Sequence, residues 1–214
     1  MLFYRIVRWI VAGGSAFVYR AHIVGREHLP STGGYVLASS HRSMMDIPFA
    51  AWLTPRRLRY MGKASLFDVP VLGSLFAVLG GFPVQRDGSD RKALRESIEM
   101  LHNNDILLMY PEGTRQNGPK IQPLQPGAAY LALRAGVPIL PVGIAGSEEV
   151  LRDHASPIPH FARVAIVVGE PITTPRREKG VVPRAEVDAL TAHLHDTLQH
   201  LLDEAYALRD GTAR

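Results

Sequence analysis

The 214-residue sequence has no cysteine. That excludes a disulfide framework, a Cys-ligated zinc site, a thiolate nucleophile and an acyl-enzyme held through sulfur. No Gly-x-Ser-x-Gly elbow occurs, which argues against a serine hydrolase triad. The glycine-rich stretches do not form a phosphate loop, and no basic-aromatic surface pattern stands out, so nucleic-acid binding is the weakest functional class. Internal repeats, low-complexity tracts and long runs of like charge are also missing. Lys and Arg number 24 against 20 Asp and Glu, a formal net charge of +4. The arginines are scattered, and this modest excess suits an anionic membrane surface or a phosphate-bearing substrate.

Hydrophobic residues make up 46% and charged residues 21% of the chain, ordinary values for a folded protein. No composition shift divides the chain, and the reading is one α/β domain over 21–208, preceded by an N-terminal segment (1–20) and followed by a short tail (209–214).

In the N-terminal segment Leu2, Phe3, Ile6, Trp9, Ile10, Phe17 and Val18 are apolar, and Arg5 and Arg8 interrupt them. The stretch falls short of the roughly 20 mainly apolar residues of a spanning helix. An amphipathic helix lying in a membrane interface fits, with Trp9 at headgroup depth. Docking onto the protein's own core and a signal peptide remain as alternatives; Gly13-Gly14-Ser15 breaks the apolar run, and no clear cleavage site follows.

Beyond it, short β-branched runs alternate with helical patterns, predicting a mixed sheet flanked by helices. The expected strands are Ala21–Val24, Tyr35–Ala38, Leu58–Met61, Phe82–Gln85, Ile106–Tyr110, Ile139–Ile144 and Val164–Val168. Leu94, Ile98 and Leu101 mark one helix, with Ser89 as a plausible cap. Val187, Leu190, Leu194, Leu198, Leu201 and Leu202 mark a docking helix over 184–208.

Two segments carry chemistry. Ser39-Ser40-His41-Arg42-Ser43-Met44-Met45-Asp46 follows a predicted strand and leads into a helix beginning near Asp46, the place where α/β sheets hold their sites. Five helical steps turn through about 500 degrees, so His41 and Asp46 meet only if the loop curls back. If they meet, the imidazole takes a proton from an attacking hydroxyl while the carboxylate fixes its tautomer. Spacing alone leaves the bland reading open, in which Asp46 caps the helix and His41 is a satisfied loop residue. Tyr110-Pro111-Glu112-Gly113-Thr114-Arg115 likewise ends an apolar run. There Gly113 allows a tight turn and Arg115 suits a phosphate.

Together these segments resemble the 1-acylglycerol-3-phosphate acyltransferase family of the glycerolipid acyltransferases. The His-x4-Asp signature falls on His41 to Asp46, a Gly-x4-Arg block on Gly81 to Arg86, Pro-Glu-Gly-Thr-Arg on Pro111 to Arg115, and a Val-Pro-Ile block on Val137 to Val142. Lys63 resembles the family's lysine between the first two. The likeness covers about residues 20–170 and implies single-step transfer from a thioester, acyl-CoA or acyl carrier protein, to an acceptor hydroxyl. It implies His41 as general base, Asp46 orienting it, and Lys63, Arg86 and Arg115 holding the acceptor phosphate. Glu112, Gly113 and Thr114 would shape that pocket. No metal or bound cofactor is implied, and the place implied is the cytoplasmic face of a membrane, as a peripheral or monotopic protein.

Two departures bear on acceptor choice. Ser40 stands where the family usually has Asn, and Leu124-Gln125-Pro126-Gly127 lacks the expected lysine, for which Lys120 is a candidate substitute. Lysophosphatidic acid is the default acceptor; glycerol 3-phosphate, another lysophospholipid or a glycolipid are alternatives. A thioesterase and a catalytically silent membrane-binding module are the rival classes. Met44, Met45, Ile47, Phe49, Trp52 and Leu53 are candidates for an acyl groove or for ordinary core.

Overall fold

The fold comes from a computed structural model that describes residues 2–70, 72–84, 91–151, 159–175 and 181–212. Each of the seven expected runs forms a strand: β1 (His22–Val24), β2 (Tyr35–Ser39), β3 (Leu58–Lys63), β4 (Gly81–Val84), β5 (Ile106–Met109), β6 (Ile139–Ala145) and β7 (Ala165–Val168). They join one sheet in the order β1-β7-β6-β2-β5-β3-β4. All neighbouring pairs are parallel except β6 and β7, so the sheet is mixed, as expected.

The helices are α1 (Leu2–Arg8), α2 (Gly14–Val18), α3 (Asp46–Leu53), α4 (Leu72–Val78), α5 (Arg91–His102), α6 (Gly127–Ala135), α7 (Ser147–Val150) and α8 (Arg184–Asp210). Every residue of β2, β6 and β7 is buried, which is why they read as unbroken apolar runs rather than alternating ones. Side chains still alternate between faces. Tyr35, Leu37, Ile106, Leu108, Leu140, Val142 and Ile144 join Tyr19, Phe49 and Leu53 in one core. Val36, Ala38, Leu107 and Ile139 join Leu101, Leu131, Leu194, Leu198 and Leu202 in the other. The residue expected to cap α5, Ser89, lies outside the described residues.

At the N-terminus α1 and α2 are joined by a π-helical turn, Trp9–Gly13. The helix has two faces. Tyr4, Ala12 and Ala16 are buried, while Ile6, Trp9, Ile10, Phe17 and Val18 are exposed, Phe17 at 85%. Arg8 turns inward: its guanidinium donates to Ala51 O at 3.1 Å and Thr54 O at 2.7 Å. Arg26 donates to Leu53 O at 3.0 Å and also to Trp52 O. Both guanidiniums lie over the Trp52 ring. The last carbonyls of α3, which lack intrahelical partners, are thereby satisfied, and the N-terminal helix is tied to the helix that begins at Asp46. Among the described residues no helix is long and apolar enough to cross a membrane.

Candidate active site

The site lies beyond the carboxyl ends of β6, β2 and β5, three adjacent parallel strands at the sheet centre. After β2 the chain curls tightly and the Asp46 N–H returns to Ser43 O at 3.2 Å before α3 begins. This curl brings together the two residues that an ideal helix would keep apart. His41 Nδ1 lies 2.9 Å from Asp46 Oδ2. The same oxygen accepts the backbone N–H groups of Arg42 at 2.7 Å and Ser43 at 2.8 Å. Asp46 is fully buried, and its carboxylate closes the preceding loop rather than capping α3.

A carboxylate can only accept, so the Nδ1 of His41 carries the proton and Nε2 is the basic nitrogen of the neutral ring. The ring is only 13% exposed and stacks on Tyr110, with centroids 3.8 Å apart and planes 16° from parallel. Burial, and then the Asp46 charge, push the Tyr110 phenol well above its ordinary range, so it stays neutral. Its ring is a flat wall behind the imidazole.

The Pro111–Arg115 segment divides into two roles. Glu112 faces the interior. Its carboxylate accepts from Arg42 Nη1 at 2.8 Å, the His41 N–H at 3.2 Å and the Gln122 N–H at 2.9 Å. The Glu112 and Arg42 side chains are both fully buried, so Glu112 braces the His41 loop instead of touching a ligand. Arg42 also donates to Lys120 O at 3.0 Å, and the Gln116 N–H donates to His41 O at 2.9 Å. Gly113, at φ 77°, takes a left-handed turn that a Cβ would strain, and it borders the cavity beside His41. Thr114 is exposed and Arg115 half-exposed.

That cavity holds about 280 Å³ and is walled by His41, Met44, Ile47, Met61, Phe67 and Tyr110 among others. An apolar crevice of about 160 Å³ lies between it and the N-terminal helix, reaching Tyr4, Val11 and Leu79. The two share Met44, Ile47, Tyr60, Phe76 and Leu108. The groove candidates therefore separate: Met44 and Ile47 line the cavity, Phe49, Leu53 and Met45 belong to the core, and Trp52 sits between two arginines.

Lys63 is the last residue of β3, paired in register with Val84 of β4. Arg86 lies outside the described residues. Ser40 is fully buried, and its hydroxyl accepts the Ile144 N–H at 3.0 Å, so it ties β2 to β6. Three residues escaped the sequence reading: Arg42, Tyr110 as the stacking partner, and Ser147, whose buried hydroxyl donates to Asp46 Oδ1. Arg42 sits inside the His-x4-Asp block and Tyr110 directly before the proline; both signals were available. Ser147 follows the late Val-Pro-Ile block, and only the fold shows its role. Among the described residues, no group of three or more His, Asp or Glu is placed to hold a metal ion.

The structure thus places a hydrogen-bonded His-Asp pair at the central strand ends of a mixed sheet, beside a mostly apolar cavity. The acyltransferase family pattern matches residues 20–145. A chloroplastic 1-acyl-sn-glycerol-3-phosphate acyltransferase from Brassica napus is 27% identical over 157 residues, 72% of this chain and 45% of that protein. The Bacillus subtilis 1-acyl-sn-glycerol-3-phosphate acyltransferase is 26% identical over 154 residues, 70% of this chain and 72% of that protein. The chain thus spans about half the length of the plant relative. The crystal structure of the 1-acyl-sn-glycerophosphate acyltransferase from Thermotoga maritima superimposes with a TM-score of 0.78 at 23% identity, covering 95% of this chain and 80% of that one. It shares the fold. This chain belongs to the acyltransferase family.

Proposed function

We propose that the protein transfers a fatty acyl group from a thioester to the free hydroxyl of 1-acyl-glycerol-3-phosphate, giving phosphatidic acid. The observation that carries this reading is the His41–Asp46 pair, 2.9 Å apart and bordering an apolar cavity. The relatives' names, 1-acyl-sn-glycerol-3-phosphate acyltransferases, supply the acceptor.

In this mechanism His41 Nε2 takes the acceptor's hydroxyl proton as its oxygen attacks the thioester carbonyl. As the C–S bond breaks, the imidazolium returns that proton to the leaving thiolate. The products are an ester and a free thiol, and the enzyme is unchanged. Asp46 holds the tautomer and stabilises the transient imidazolium. General-base assistance of this kind contributes roughly 10² to 10⁴ in rate. No bound cofactor enters; acyl-CoA or acyl carrier protein is a co-substrate.

Arg115 makes no hydrogen bond or ion pair among the described residues and follows the turn that borders the cavity, so its guanidinium is available to an acceptor phosphate. Arg115→Ala is expected to raise KM for lysophosphatidic acid on the order of 10-fold, with kcat changed much less. An unchanged KM removes Arg115 from the acceptor site. The exposed Ile6, Trp9, Ile10 and Phe17 suit immersion in a lipid interface, from which an acceptor enters without full extraction.

The cavity beside Met44 and Ile47 receives the donor chain in this reading. Met44→Trp narrows it, and the profile of accepted acyl-CoA lengths shifts toward shorter chains. A profile that does not move places the acyl chain elsewhere.

The function itself is tested with long-chain acyl-CoA or acyl carrier protein thioesters, offered with lysophosphatidic acid or glycerol 3-phosphate. Phosphatidic acid formed only with lysophosphatidic acid supports the proposal. Acylation of glycerol 3-phosphate instead reassigns the acceptor.

A further inference from the structure

Asp46 has two carboxylate oxygens, and the local loop accounts for only one of them. Oδ2 accepts from His41, Arg42 and Ser43, all within five residues of Asp46. Among the described residues Oδ1 accepts from a single donor, the Ser147 hydroxyl, which comes from a site 101 residues further along the chain. We propose that Ser147 is a positioning residue for the acyl transfer, fixing the plane of the Asp46 carboxylate and through it the orientation of the His41 imidazole.

The geometry around Ser147 is built to hold that hydroxyl still. Ser147 is fully buried and opens α7 directly after β6. Gly146 before it takes φ 88°, and a Cβ there would lie 2.1 Å from Arg163 O, so the turn delivering Ser147 depends on glycine. The two residues after it are held by α8. Tyr206 Oη donates to Glu148 Oε1 at 2.7 Å, and Arg209 Nη1 donates to Glu149 Oε1 at 2.8 Å. The long C-terminal helix thereby pins the turn that presents Ser147 to Asp46.

Without the Ser147 contact, Asp46 keeps its three donors on one oxygen but is free to rotate about them, and the His41 hydrogen bond loses its fixed direction. Outer groups that orient the ligands of metal sites contribute about 10- to 100-fold, and a loss on the same scale is expected here. This inference rests on His41 acting as the base, so the variants are chosen to separate the two claims.

Ser147→Ala, Ser147→Thr, His41→Ala, Asp46→Asn and Ser147→Ala with Asp46→Asn are compared by steady-state kinetics with acyl-CoA and lysophosphatidic acid, alongside thermal melting. Ser147→Ala is expected to lower kcat about 10- to 100-fold with both KM values within about twofold. Ser147→Thr, which keeps the hydroxyl, restores most of it. On the Asp46→Asn background Ser147→Ala costs nothing further, because residues that act as a unit are not additive. A kcat within twofold of wild type, a loss confined to KM, no recovery with Thr, or additive losses each overturn the proposal, while an inactive His41→Ala leaves the base assignment standing. Activity in His41→Ala instead removes the base reading on which the proposal rests. Should Ser147→Ala fail to fold, Ser147→Cys, whose thiol is a weaker donor, is read by the same criteria.

Discussion

Glu112→Ala is expected to destabilise the protein by about 3–5 kcal/mol, the cost of removing one partner from a buried ion pair. The Arg42 and Glu112 side chains are both fully buried, so the guanidinium left behind keeps its charge without its 2.8 Å counter-ion. The half-buried backbone N–H groups of His41 and Gln122 lose their acceptor as well, and each adds to the cost as far as water cannot replace it. For that reason replacing Arg42 together with Glu112 by apolar residues does not restore full stability. Urea unfolding with an unchanged slope and a lowered midpoint is the expected signature. Activity falls too, since Glu112 anchors the backbone of the proposed base. A loss below about 1 kcal/mol would show that Glu112 is instead solvated in solution, as an exposed pair would be.

Asp46→Asn keeps the shape of the site and is expected to lower kcat by about 10²- to 10⁴-fold, the range of general-base assistance, with little change in stability. The two backbone N–H groups of Arg42 and Ser43 hold the amide carbonyl in the place of Oδ2, where it still accepts from His41 Nδ1, and the NH2 takes the place of Oδ1 beside Ser147. The transient imidazolium loses its counter-charge. Three of the four contacts to Asp46 are donors directed at one oxygen, and an asparagine that turns its carbonyl to those donors still folds. Steady-state kinetics alongside thermal melting separates the two effects. An Asp46→Asn protein within tenfold of wild type in kcat removes the carboxylate from the chemistry.

Much of the fold was legible because the central strands are buried on both faces and read as plain apolar runs. β2, β5, β6 and β7 each fall within a residue or two of the expected bounds. The helix α6, Gly127–Ala135, was not singled out, since alanines and one glycine dominate it and small residues weaken the periodic signal. Arg8 shows a different limit. In sequence it only interrupts an apolar stretch, yet it reaches carbonyls more than forty residues away.

The site was legible where its parts are local. His41 and Asp46 are five apart, and the strand-to-helix context told where a curl would be needed. Whether the curl occurs depends on donors from Arg42 and Ser43, which spacing does not reveal. Glu112 and Ser147 make their contacts at long range: the Pro-Glu-Gly-Thr-Arg motif shows that Glu112 sits near a turn but not which way it faces, and no motif covers Ser147. Glu112 reads as a pocket residue and is found under the loop, paired with an arginine that the His-x4-Asp pattern treats as filler.

The most direct test of the account is acyl transfer itself, measured with purified protein, an acyl-CoA or acyl carrier protein thioester, and lysophosphatidic acid in lipid vesicles, following free thiol and phosphatidic acid together. The account predicts that thiol and phosphatidic acid appear in equal amounts, only when the acceptor is present, and that His41→Ala abolishes both. Thiol released without acceptor, or phosphatidic acid still formed at wild-type rate by His41→Ala, would contradict it.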